Sequence, residues 1–210
     1  MIGLLLKDFY IIRQYMKTVL FMLAFFALIS AGLDNPATFF EAFIIFMSMM
    51  VTITSFSYDA LAKWDRYALS LPVSRKEIVA AKYLLSVILC FGGTIISFLI
   101  SSVILKFKPM ESFGMKEHLY ATGAIICITF LFLAILLPLI FKFGVEKCRL
   151  LLIAIFAAPT AAVVALSKMG VSMPSEASLI AFIKLLPVLV IPFFLLSFFI
   201  SVRIFTGKEI

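Results

Sequence analysis

Charge is scarce in this sequence. Only 14% of its 210 residues are Asp, Glu, Lys or Arg, while 64% are hydrophobic; a soluble domain is about a quarter charged and about half apolar. A chain so poor in polar residues cannot clothe a single core in water, which excludes an ordinary soluble domain. Histidine and tryptophan occur once each, and Cys90, Cys127 and Cys148 show no pattern. A structural metal site needs several convergent ligands and a disulfide framework an even cysteine set, so neither is expected. No HExxH, GxSxG or GxxxxGK[ST] stretch is present, and "FTGKE" near the end lacks the earlier glycine. These gaps argue against an intramembrane protease, and they assign any ATP hydrolysis to another chain. Long polar loops are missing too, so no basic surface for nucleic acid is expected.

What is present is apolar sequence in six runs: 18–33, 39–58, 78–105, 119–141, 150–166 and 179–205. Mean hydropathy over the chain is +1.21. A helix needs about 17–25 residues to cross a bilayer, so each run suits one crossing. The expected fold is an all-α polytopic membrane protein, a single transmembrane domain over residues 1–210. Lys82 and Lys184 open the long third and sixth runs. A lysine at mid-bilayer costs about 2.5–3.5 kcal/mol, which places both at the interface. The first run precedes Ser30-Ala31-Gly32, as a cleaved signal does. Residues 1–17, with Asp8, precede it and five runs follow it, so a retained helix is expected.

Orientation follows from the basic residues. With the N-terminus inside, the inner segments hold Lys7, Arg13, Lys17, Lys63, Arg66, Arg75, Lys76, Lys142, Lys147, Arg149, Arg203 and Lys208. The outer loops hold only Lys106, Lys108, Lys116 and Lys168. Twelve against four is a positive-inside bias, and it puts both termini in the cytoplasm. The net charge of +7 is the same signal.

Three further patterns stand out. In residues 1–17, Leu5, Leu6, Phe9, Ile12 and Met16 recur at helical spacing, with Lys7, Asp8 and Arg13 mainly elsewhere around the helix. This predicts an amphipathic helix lying in the membrane interface against lipid; the alternative is a cytoplasmic extension of the first span. In the second run, Glu41, Ser48, Thr52, Ser55 and Asp59 fall on one helix face. That face either lines a substrate path or packs through hydroxyl hydrogen bonds. In the fifth run, Ala154, Ala158, Ala161 and Ala165 form a small-residue stripe for close helix contact, within the subunit or across a dimer.

The inner connector, residues 59–77, is the densest segment. "ALAKWDRYALS" is helix-prone, with Leu61, Trp64, Ala68 and Leu71 on one side. Pro72 stops that helix, and Ser74 with Glu77 makes a capping box that starts the next. The stretch "LSLPVSRKEIVAAKYL" after the second span resembles the connector between the second and third spans of ABC-2-type exporter permeases. The amphipathic start, six spans and inside termini agree with that family along nearly the whole chain. Within it, the chain is similar to the small stand-alone permeases typified by the bacterial exporter of phenol-soluble modulins.

The resemblance implies that the connector is the coupling helix that docks on an ATPase subunit, through Leu61, Trp64, Arg66, Leu71, Pro72, Ser74, Arg75, Lys76 and Glu77. It implies two separate ABC ATPase subunits that hold ATP and Mg, with no cofactor on this chain. It further implies a homodimer or a pairing with a similar permease, in a bacterial plasma membrane. The cargo would be an amphipathic peptide or another lipophilic molecule, and the chain itself would be no enzyme. Two other readings fit the same composition. One is the substrate-binding subunit of a vitamin uptake system, in which AxxxA pairs such as Ala27 and Ala31 hold a scaffold. The other is a non-transporting immunity or sensor protein on the same scaffold.

Overall fold

The computed structural model describes residues 2–31, 36–68, 70, 72–107, 115–148, 150–151, 157, 161, 165, 168 and 176–208. All regular structure among them is helical: α1 (Ile2–Ala31), α2 (Pro36–Leu61), α3 (Trp64–Ala68), α4 (Arg75–Phe107), α5 (Met115–Phe143) and α6 (Glu176–Thr206). Among the described residues, five helices are long and apolar enough to cross a membrane, over Ile2–Ser30, Pro36–Leu61, Arg75–Leu105, Lys116–Phe143 and Lys184–Thr206. The fifth run, including Ala154 and Ala158, lies almost wholly outside the described residues; Ala161 and Ala165 are helical and exposed.

α1 is a single helix of 30 residues with no break at Lys17, where an interfacial helix and the first span were expected to divide. At about 1.5 Å per residue such a helix exceeds the roughly 30 Å hydrocarbon core, so one end extends beyond it. α2 packs on α1, α4 and α5, and α6 packs on α4 and α5. The apolar core between them holds Met49, Ile53, Phe56, Tyr83, Leu133, Leu137, Phe141 and Phe205. Phe141 meets both Phe56 and Phe205 edge-on, at ring centroids of 5.3 and 5.5 Å, an arrangement aromatic quadrupoles favour.

Polar side chains inside the bundle spend their hydrogens on the helices themselves. Ser48 donates to the Ile44 carbonyl and Thr52 to the Ser48 carbonyl. The buried Tyr83 hydroxyl lies 2.7 Å from both Ser197 and Ser201, joining α4 to α6, and Ser197 donates to the Ala134 carbonyl of α5. At Gly93, α2 and α4 come so close that an added Cβ would sit 3.0 Å from the Ser48 Cβ and nearer still to its hydroxyl.

α5 ends at Gly144, whose φ of +80° suits a residue without Cβ, and its N–H donates to the Ile140 carbonyl over 2.8 Å. This is the single-bond left-handed cap. Beyond it Cys148 is buried, which pushes its thiol up from the usual range; like Cys90 and Cys127 it is a free thiol.

Candidate functional site

The connector between α2 and α4 is built from three stops. α2 ends at Leu61, and Lys63 takes a left-handed conformation with φ of 50°. For a lysine that conformation is uncommon, and it breaks the long helix expected over 60–70 into the end of α2 and the five-residue α3. Past Pro72 the expected capping box forms. The Ser74 N–H and hydroxyl both donate to Glu77 Oε2 over 2.9 Å, and the Glu77 N–H returns to Ser74 Oγ over 3.2 Å. Two otherwise orphaned donors of α4 are thereby satisfied.

Arg75 was expected to face an ATPase subunit. It turns back instead, donating to the carbonyls of Phe205, Thr206 and Lys208 over 3.1, 2.8 and 2.9 Å. A guanidinium on the last carbonyls of a helix satisfies acceptors and complements the helix dipole. The start of α4 is thus fastened to the end of α6. Leu61 and Tyr67 are strongly exposed, at 80% and 60%, with Arg66, Pro72, Ser74 and Lys76 also on the surface. Trp64 is half-buried, and the Lys7 amine sits 4.3 Å above its ring. The expected pairing of Leu61 and Trp64 on one outward side is therefore not what the structure has: the two part across the Lys63 turn. Leu71 lies outside the described residues.

Beneath the connector lies an ion network that joins three helices. Lys82 of α4 approaches Asp8 of α1 at 2.9 Å and Asp59 of α2 at 2.5 Å; Lys7 approaches Asp59 at 2.5 Å and Asp8 at 3.2 Å. Ser55 donates to Asp8 over 3.0 Å, and Lys82 also reaches Ser55 at 2.7 Å. Asp8 is 1% exposed, Lys82 5% and Asp59 7%. Two lysines balance two aspartates, so the buried group is neutral as a whole. That balance is what makes charge tolerable away from water. Beside it a cavity of about 140 Å³ is lined by Asp59, Trp64, Lys82, Gly144, Val145 and Lys208, among others.

These contacts revise several expectations. Lys82 does not extend to the headgroups but points into protein. Asp8 and Lys7 leave the polar flank of an interfacial helix and face α2 and α4, whereas Arg13 is exposed. The polar face of α2 is buried within the chain at Glu41, Thr52, Ser55 and Asp59 and half-buried at Ser48: Ser55 and Asp59 join the ion network, Ser48 and Thr52 bond to the preceding turn, and Glu41 meets Thr122 of α5. The sequence signal for the network was opposite charges flanking the connector, an acid directly after the second apolar run and a lysine inside the third, since unpaired intramembrane charges are rare. Asp59 and Lys82 satisfy that description.

A multi-helix membrane protein with paired buried charge and a stiffened connector at one end is the class that this fold defines. The chain belongs to the ABC-2 family transporter proteins, whose family model matches residues 3–206. No curated protein and no solved structure matches it. Membership makes the chain a membrane transport subunit with an ABC permease role, from a family that typically pairs with ABC ATPase subunits.

Proposed function

We propose that this chain is the transmembrane permease subunit of an ATP-driven exporter that moves amphipathic peptides or other lipophilic molecules out of the cytoplasm. Two such chains, or one with a similar permease, combine with two separate ATPase subunits that bind ATP and Mg. The assembly sits in a bacterial plasma membrane with both termini cytoplasmic, in the manner of the small permeases typified by the phenol-soluble modulin exporter. Residues 59–77 then form the coupling segment.

The observation that carries this reading is the connector's construction. A soft loop would absorb a push from a partner; here the segment is capped by Ser74 and Glu77, tied by Arg75 to α6, and seated on the Asp59–Lys82 contact. Displacement of α3 is thereby passed to α1, α2, α4 and α6 together. Leu61 and Tyr67 are the apolar groups exposed for docking, and buried apolar anchors carry most interface energy. Arg66 and Lys76 at the rim steer the encounter more than they hold it.

The test is purification of the tagged chain from native membranes, with co-purifying ATPase, ATP hydrolysis and peptide efflux measured on the same sample. Leu61→Ala combined with Tyr67→Ala should weaken ATPase retention by about 2 kcal/mol or more. Ser74→Ala should cost only about 1 kcal/mol of helix stability, leaving the complex assembled and less well coupled. Normal ATPase binding and normal efflux after deletion of residues 61–68 would remove the connector from this role.

A further inference from the structure

At the end of the bundle away from the connector, three helices close on a second polar cluster. Glu41 comes from the first turns of α2, Ser101 from the last turns of α4, and His118 and Thr122 from the first turns of α5. Glu41, Ser101 and His118 have no exposed surface, and Thr122 is 6% exposed. Phe98 lies flat against the imidazole, with ring centroids 4.9 Å apart and 12° between the planes. No lysine or arginine is bonded to Glu41 among the described residues. Among the described residues, the titratable group that faces it is His118, whose Nδ1 lies 3.5 Å from Glu41 Oε2; α4 adds the uncharged Phe98 and Ser101.

The buried carboxyl of Glu41 lacks a countercharge among the described residues. Thr122 Oγ1 lies 2.5 Å from Glu41 Oε1 and 2.9 Å from the His118 carbonyl, both acceptors, yet a hydroxyl has one hydrogen. Ser101 Oγ lies 3.2 Å from the Phe98 carbonyl and 3.1 Å from His118 Nε2. Whichever way the Ser101 hydroxyl turns, a neutral ring leaves an ionised Glu41 buried with no cation among the described residues to balance it. One added proton supplies that balance. On Glu41 Oε1 it is donated to Thr122, whose own hydrogen passes to the His118 carbonyl. On His118 Nδ1 it faces Glu41 Oε2 directly. In both arrangements the pair is neutral overall, as a site without access to water requires.

We propose that Glu41 and His118 form a binding site for a single proton inside the helix bundle, and that its occupancy holds the ends of α2, α4 and α5 together. Loss of that proton leaves net negative charge in a closed apolar setting. The helix ends then separate enough to admit water. This proposal does not rest on the exporter reading, and its test needs no transport.

The full chain, purified in detergent, is followed from acid to alkaline pH by infrared spectroscopy and by ring 15N NMR. His118 is the only histidine in the sequence, so its ring signals need no variant to assign them. The expected result at neutral pH is one of two signals: a protonated carboxyl band that Glu41→Gln removes, or a cationic His118 ring. That signal disappears on alkalinisation as one proton leaves. A proton held by the folded chain and shed on unfolding lowers the folding equilibrium about tenfold per pH unit as pH rises; Glu41→Gln flattens that component of the thermal midpoint. Should Glu41→Gln fail to accumulate, Thr122→Val assigns the carboxyl band by shifting it, because the acceptor is gone. An ionised Glu41 beside a neutral ring at neutral pH overturns the proposal, as does a wild-type pH profile retained by Glu41→Gln.

Discussion

A lysine near the start of a membrane helix ordinarily extends its amine to the headgroups, and Lys82 does the opposite. Asp8 and Asp59 approach it from two other helices, and Ser55 supplies an oxygen to the same amine. The attraction among these groups outweighs the loss of hydration only while both signs are present. Lys82→Met, which leaves two aspartates to Lys7 alone, should therefore destabilise the protein by about 3–5 kcal/mol. Adding Asp8→Asn restores neutrality, since Lys7 and Asp59 remain as a pair, and most of the loss should return. Thermal unfolding of the two single variants and the double variant measures the coupling. Strictly additive losses would show that Asp8 and Lys82 act independently.

Among the helices, the contact of α2 with α4 is set by one missing side chain. Gly93 lets the Ser48 side chain fill the space where its own Cβ would be, while Gly92, one position earlier, faces nothing within 4 Å. The two glycines look equivalent in sequence and are opposite in consequence. Gly93→Ala should push α2 from α4 and cost about 1–3 kcal/mol, the usual range for overpacking. Gly92→Ala should be neutral or slightly stabilising, because alanine has the better helix propensity. Equal thermal midpoints for the two variants would show that this approach is not close in the folded protein. The same level of structure explains the connector. Its capping box was legible as Ser74-Arg75-Lys76-Glu77, because a cap needs only local spacing. The break at Lys63 was not, since nothing in lysine's chemistry demands a left-handed backbone.

Over the whole molecule, both chain ends lie with the connector at one end of the bundle. Lys7 bonds to Asp59 near the start of the chain, and Lys208 lines the cavity beside Asp59 near its close. In the proposed topology that end faces the cytoplasm, the side basic residues favour. Single cysteines at Ser70 and Lys147 of a cysteine-free variant should thus be silent to an impermeant thiol reagent on intact cells, and one at Lys116 should react. Labelling at Ser70 or Lys147 from outside would invert the arrangement.

The sequence by itself determined that the chain is helical, that it belongs in a membrane, and where helices start and stop wherever a proline, glycine or capping pair marks the end. Those properties depend on composition and on residues within a turn or two of one another. The tertiary structure alone decided that Lys7, Asp8, Asp59 and Lys82 share one neutral site, that Arg75 holds the last carbonyls of α6, and that Glu41 meets His118. Each of these contacts joins residues from different helices, 23 residues apart for Asp59 and Lys82 and 74 or more for the contacts of Lys82 with Asp8, of Glu41 with His118 and of Arg75 with α6. Which face meets which is settled by helix packing, because buried charge is stable only where a partner from another helix arrives to balance it.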